Sequence, residues 1–92
     1  MPFEWDPEKS TKNDHERGIP FRVASEVFED PKAKRYDDWR FEYGEIRTRI
    51  IGRTFKGDLL AVIYTIRPAG TRIISARKAS KRERQQYGED YS

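Results

Sequence analysis

The chain has no cysteine and only one histidine and one methionine among 92 residues. Without cysteine there is no disulfide framework and no thiolate zinc site. His15 alone cannot build an imidazole cluster, so neither a metal nor another cofactor is expected. Long apolar runs are also missing. The longest, LLAVIYTI from Leu59 to Ile66, falls well short of the ~20 residues that cross a bilayer, and no membrane association is expected. The opening MPFEWDPEK is acidic and unlike a secretion signal, which points to the cytosol.

What is present is charge and aromatic surface. Charged residues make up 38% of the chain and apolar ones 35%, but the signs are interspersed and aromatics reach 13%. Disordered chains usually lack those aromatics. Residues 1–92 therefore read as one domain with a small core, burying about 60–65% of its unfolded surface. Net charge is +3, unevenly placed. From Arg67 to Arg84, seven bases face one acid, whereas residues 1–66 carry 12 bases and 13 acids. Such asymmetry favours a polyanionic partner. The plainer alternative is a basic, solvated surface helix.

Local patterns predict the elements. Phe3-Glu4-Trp5 is a short extended start. Asp6 then Pro7 opens a helix, as cap and first residue, and Gly18 closes it after Arg17. Phe21, Ala24, Val27 and Phe28 fall at helical spacing, predicting a second helix over Pro20–Phe28 that ends at Asp30-Pro31. Trp39, Phe41 and Tyr43 alternate with charges, as a strand would. Strands follow over Ile46–Phe55, Leu59–Ile66 and Thr71–Arg77, with turns at Lys56-Gly57-Asp58 and Pro68-Ala69-Gly70. Ser80 and Glu83 form an S-x-x-E capping box that opens a last helix ending near Gly88. The expected fold is α+β: two N-terminal helices and a C-terminal helix on one face of a twisted antiparallel sheet of three to four strands, the other face partly open.

The open face is where chemistry is expected. Alternation puts Arg47, Arg49, Ile51 and Arg53 on one side of their strand, and groups Ile73, Ser75 and Arg77 against Arg72, Ile74 and Ala76. Clustered guanidiniums suit phosphate, which arginine grips in a bidentate way. The competing reading pairs each of Arg47, Arg49 and Arg53 with a surface carboxylate. RNA is cut without metal when its 2′-OH attacks the adjacent phosphate, which needs proton carriers and cations aimed at developing charge. Glu83 and Tyr87 share a helix face and qualify, although a capping role explains Glu83 and core packing explains Tyr87. Tyr36, Trp39, Phe41 and Tyr43 could stack on bases or anchor a protein, or pack over the sheet edge. His15 reads as a surface residue.

Several motifs occur in one order: FEWDPEK; Asn13, Gly18 and Ile19 in N-x-x-x-x-G-I; F-x-x-A-x-x-V-F-x-D-P from Phe21 to Pro31; YGEIR at Tyr43–Arg47; Ile51-Gly52; YTIR; and RIISARKASKRER. Together they resemble the BrnT family of toxins from type II toxin–antitoxin systems, over Phe3–Tyr87. FEWDP and RIISARKA are the specific parts. The resemblance implies a RelE-like ribonuclease fold and a metal-independent endoribonuclease that blocks translation. It also implies a BrnA-type ribbon–helix–helix antitoxin that neutralises the toxin and represses the operon with it, DNA being met only through the antitoxin. Carried over by position, the catalytic candidates are Lys9, Arg67, Arg77, Glu83 and Tyr87. Arg47, Arg49, Arg53, Arg72, Lys78, Lys81 and Arg82 are RNA-binding candidates, and Arg67, Arg77 and Lys78 are expected to hold the scissile phosphate. Many family members read K-H-G where this chain has Glu16-Arg17-Gly18, so the family histidine is absent; the serine that often caps the second helix is replaced by Pro20. A non-catalytic module of the same fold that binds nucleic acid or the antitoxin is the alternative, and a protein-interaction domain is a third.

Overall fold

A computed structural model gives the fold of residues 2–40 and 44–89, with backbone alone described at residues 39 and 40. A mixed sheet of five strands is ordered β1-β5-β4-β3-β2. The strands are β1 (Phe3–Glu4), β2 (Lys34–Arg40), β3 (Glu45–Arg53), β4 (Leu59–Arg67) and β5 (Gly70–Lys78). β2 through β5 run antiparallel, each beside the next in sequence. The expected three- to four-stranded antiparallel sheet gains a fifth strand, because Phe3 and Glu4 pair in parallel with Thr71 and Arg72. The start of β2 at Lys34 also precedes the expected aromatic stretch, of which Phe41 and Tyr43 lie outside the described residues.

The helices are α1 (Pro7–Arg17), α2 (Phe21–Ala24) and α3 (Lys81–Tyr87). Asp6 caps α1 by accepting from the Glu8 amide, and Gly18 ends it at φ 71°, a conformation that suits glycine. The predicted second helix is shorter: α2 gives way to a 3-10 helix over Ser25–Glu29. Pro20 offers α2 no side-chain cap, and the Ser10 hydroxyl of α1 accepts the Phe21 amide at 2.9 Å instead. No helix of the described residues is long and apolar enough to cross a membrane.

The core lies between α1, α2 and the 3-10 helix and one face of the sheet. Phe21, Ala24 and Val27 meet Ile50, Leu60, Val62, Ile73 and Ala76 there. Gly52 allows a close approach within this core: a Cβ at that position would sit 3.0 Å from the Val27 carbonyl oxygen. Asn13 explains its place in the sequence motif. Its buried amide donates to the carbonyls of Ile19 at 2.7 Å and Ala76 at 3.0 Å, tying the α1–α2 turn to the edge of β5.

Two expectations about faces change. The helices do not all share one face: α3 packs on the opposite side, where Tyr87 and Ala79 cover Ile51 and Leu59. The strand-face grouping in β5 also fails, because Ile63 pairs with Ser75 while Tyr64 pairs with Ile73, leaving Ile74 as an extra residue. Such a bulge reverses the alternation beyond it. Arg72, Ser75 and Arg77 therefore share the α3 side of the sheet, and Ile73 and Ala76 face the core.

Candidate functional site

The α3 side of the sheet carries the arginines. Arg47 and Arg49 of β3, Arg67 of β4, and Arg72 and Arg77 of β5 lie on it by alternation. At its centre is Glu83, only 1% exposed. The capping box turns its side chain inward: Oε1 accepts the Ser80 amide at 2.9 Å, and the Ser80 hydroxyl accepts the Glu83 amide. Two strands supply the remaining donors. Arg49 Nη1 donates to Oε2 at 2.6 Å, and Arg77 straddles the carboxylate with Nη1 2.5 Å from Oε1 and Nη2 3.0 Å from Oε2.

Burial by itself would raise the Glu83 carboxyl. The hydrogen bonds from Arg77, the Ser80 amide and Arg49 outweigh it and hold the pKa at about 2, below the ordinary 4.5. The same bond to Glu83 raises Arg77. The arrangement is a buried carboxylate clamped by two guanidiniums, with a local charge of one positive unit. Arg77 keeps 43% of its side chain exposed, so the outer part of its donor fan faces solvent.

Beside the clamp a groove of about 400 Å³ opens on the same face. Its lining includes Tyr36 of β2, Arg49 of β3, Ile63 of β4 and Ser75 of β5. The Arg49 guanidinium lies over the Tyr36 ring at 5.1 Å from its centroid, so Arg49 belongs to both groove and clamp. The volume falls in the ~300–1,000 Å³ range of small-ligand sites.

The remaining candidates are dispersed. Tyr87 does not join Glu83: its hydroxyl donates to Asp30 Oδ2 at 2.7 Å, an oxygen that also accepts the Arg53 amide at 2.8 Å. Burial and the bond to Asp30 raise the Tyr87 phenol and keep it protonated. Burial would raise Asp30, but Tyr87 and the amides of Arg53 and Lys32 bring it below its ordinary value. Arg67 pairs across from Gly70, whereas Arg77 pairs across from Ala61. Six residues of strand separate them, roughly 20 Å, so the two do not hold one phosphate. Arg67 instead meets Glu45 at 3.4 Å.

The carboxylate-pairing reading applies to much of the arginine set. Arg53 binds Glu89 at 3.1 Å and the Gly57 carbonyl at 2.8 Å, and its guanidinium lies 5.3 Å from the Tyr87 ring centroid. Arg72 meets Glu4 at 3.6 Å and Arg47 lies 4.0 Å from Glu45. Lys78, Lys81 and Arg82 are exposed around the clamp, at the end of β5 and the first turn of α3. Lys9 is exposed on α1 and lines a shallow hollow with Lys12, Arg17 and Ile74; Ile74 also lines the main groove. Arg17, at the position of the absent histidine, donates to the Ala76 carbonyl at 3.1 Å, one residue before Arg77.

Sequence reasoning missed the hub at Asp30, which looked like a helix stop. The shared side of Arg49 and Arg77 was hidden by the bulge at Ile74.

A family model described as ribonuclease toxin, BrnT, of type II toxin–antitoxin system matches residues 5–83. No curated protein matches the chain.

Proposed function

The chain belongs to the BrnT family of ribonuclease toxins of type II toxin–antitoxin systems, and from that premise we propose that it cuts RNA at the Arg49–Glu83–Arg77 clamp. The observation that carries this reading is the buried, ionised Glu83 fixed between two guanidiniums beside an open groove. A scissile phosphate approaches the exposed side of Arg77. The 2′-OH gives its proton to solvent and attacks the phosphorus, charge builds on the non-bridging oxygens, and the P–O5′ bond breaks, leaving a 2′,3′-cyclic phosphate and a protonated 5′-hydroxyl. A donor already fixed at that point needs no reorganisation as the charge develops; removing one such donor typically costs 10²–10³-fold in rate. No metal enters this scheme.

Glu83 acts as a positioning residue in this scheme. A carboxylate with a pKa of about 2 and four donors is a poor base at neutral pH. Tyr87 is likewise engaged, with Asp30. Lys9, exposed on α1 in a hollow that shares only Ile74 with the groove, is the remaining acid among the named candidates. Lys78, Lys81 and Arg82 guide the RNA backbone, and Arg47 and Arg72 extend the same basic face. A BrnA-type ribbon–helix–helix antitoxin neutralises the toxin in the cytoplasm and represses the operon with it, bringing DNA in only through the antitoxin.

One observation favours a second reading, a non-catalytic nucleic-acid module: two of the candidate proton carriers are already held in structural bonds. Induced expression in bacterial cells separates the two. The chain is expressed with and without the neighbouring open reading frame, beside Arg77→Ala, and growth and RNA integrity are scored. Growth arrest with cleaved RNA, relieved by the neighbour and by the substitution, is expected. Normal growth with intact RNA at equal protein levels would leave the binding module.

A further inference from the structure

We infer that the far end of the sheet, on the face opposite the clamp, is the docking surface for the protein antitoxin. The inference rests on the family assignment and not on where the chain cuts RNA. It adds the surface and the chemistry of the segment that the surface holds. Strand pairing locates it. On the core face Phe3 pairs with Thr71, and Thr71 with Ile66. Ile46 shares that face with Thr48 and Ile50 by alternation, and its carbonyl accepts the Thr65 hydroxyl at 2.8 Å, which sets it beside Ile66. Phe28 lies against both Phe3 and Tyr64, with ring centroids 4.9 Å apart in each pair. Phe3, Phe28, Tyr64 and Ile66 line a cleft of about 250 Å³. The helices leave this end open: Ile66 is 67% exposed and Ile46 52%. Scattered apolar side chains are ordinary on a surface, whereas a contiguous patch beside a cleft marks an interaction site.

Charge selects the occupant. The rim of the cleft carries one carboxylate, Glu29, and one guanidinium, Arg35. Both are exposed, and neither has a side-chain partner among the described residues. Asp37 follows on the same face of β2, its carboxylate accepting the Thr48 hydroxyl at 2.9 Å. One base against two acids does not attract a polyanion, so RNA is left to the arginine face. The other macromolecule of a type II toxin–antitoxin system is the antitoxin protein. A cleft of this size seats one or two side chains and not a domain. The segment it fits therefore brings an apolar side chain between Phe28 and Ile66, an acid beside it toward Arg35, and a base toward Glu29. An amphipathic segment presents three such groups together. Because the clamp stands on the other side of the sheet, substitutions here separate antitoxin binding from RNA cleavage.

The test uses the full chain and the purified product of the neighbouring open reading frame, with affinity measured by calorimetry. Ile66→Ser should weaken binding about tenfold, as loss of an interface anchor does. Arg35→Glu and Glu29→Lys should each weaken it several-fold, and most at low salt. Phe55→Ser removes another exposed apolar side chain, between β3 and β4, and should leave the affinity unchanged. In cells, Ile66→Ser should keep the RNA cleavage of the free chain and lose its relief by the neighbour. Wild-type affinity in Ile66→Ser and in both charge variants would overturn the inference, as would a neighbour product that does not bind the wild-type chain. A wild-type dimer in sedimentation that Ile66→Ser dissociates, with binding of the neighbour product unchanged, would also overturn it and give the face to a second copy. If the wild-type chain leaves RNA intact, the ribonuclease proposal falls while the affinities still decide this one.

Discussion

Arg49 Nη1 lies 2.6 Å from Glu83 Oε2, so an interior strand and the last helix are joined by one ion pair. Glu83 is almost fully buried, and its charge is what the two arginines converge on. Glu83→Gln keeps the shape and removes that charge. Stability should fall by about 2 kcal/mol in urea unfolding, the scale of a hydrogen bond to a charged group. A fall below about 0.5 kcal/mol, the usual size for a neutral surface change, would mean that the clamp adds nothing to the fold.

Acid should dissolve the same ion pair. The Glu83 pKa is depressed from 4.5 to about 2 on folding. The unfolded chain therefore takes up the proton first as pH falls, and the stabilisation is complete above about 4.5 and drains away toward 2. Asp30 is shifted in the same direction and adds to the effect. Unfolding measured across this window should show wild type losing stability more steeply than Glu83→Gln. Parallel curves would rule Glu83 out as a source of the acid sensitivity.

Tyr87 and Glu83 are four residues apart on α3 but serve different partners. Tyr87→Phe removes the hydroxyl that reaches Asp30. It should cost about 1–2 kcal/mol in thermal or chemical unfolding and leave RNA cleavage within a few-fold of wild type. A drop in cleavage without a drop in stability would restore Tyr87 as a proton carrier.

Arg77 and Arg67 should behave differently because they stand roughly 20 Å apart along the sheet. Arg77→Ala is expected to lower the cleavage rate 10²–10³-fold. Arg67→Ala should leave the rate alone. At most it should make RNA binding less salt-dependent, by about 0.7 in slope for each single-strand phosphate that Arg67 neutralises. Single-turnover cleavage and binding at several salt concentrations distinguish the two variants. Equal falls in rate would break the assignment of one phosphate site to Arg77.

Asn13 has no charge and lies away from the main groove, yet its amide satisfies two carbonyls inside the protein. Asn13→Ala leaves those acceptors short of a donor and should destabilise by about 2 kcal/mol. Hydrogen exchange at the β5 edge should speed up with it; unchanged exchange there would show that Arg17 alone holds the Ala76 carbonyl.

How much of this was readable beforehand depends on how local each cause is. The Asp6 and Ser80 caps, the Gly18 stop and the LLAVIYTI strand each follow from neighbours in sequence, and each stands where expected. The parallel pairing of Phe3 with Thr71 has no local signal. Neither does an extra residue in β5, since RIISARK alternates acceptably with or without a bulge. Arg77 and Glu83 could be singled out from the sequence, but Arg49 as their third partner needed the packing of α3 across β3. The groove was least legible: Lys34–Asp38 is a polar edge strand, and a polar strand says little about what it walls.

The two-residue strand β1 bears on the order in which the protein assembles and comes apart. β3, β4 and β5 meet the strand beside them in sequence, so their ladders zip from nearby turns. Phe3 must wait for Thr71, 68 positions later, and gains only two paired residues on arrival. A closure that long costs more entropy than two residues offset unless the rest of the sheet is already in place. The amino-terminal strand is thus the last piece to dock and the first to detach, and its departure uncovers Phe28 and the amide of Thr71 while leaving the Arg49–Glu83–Arg77 clamp whole.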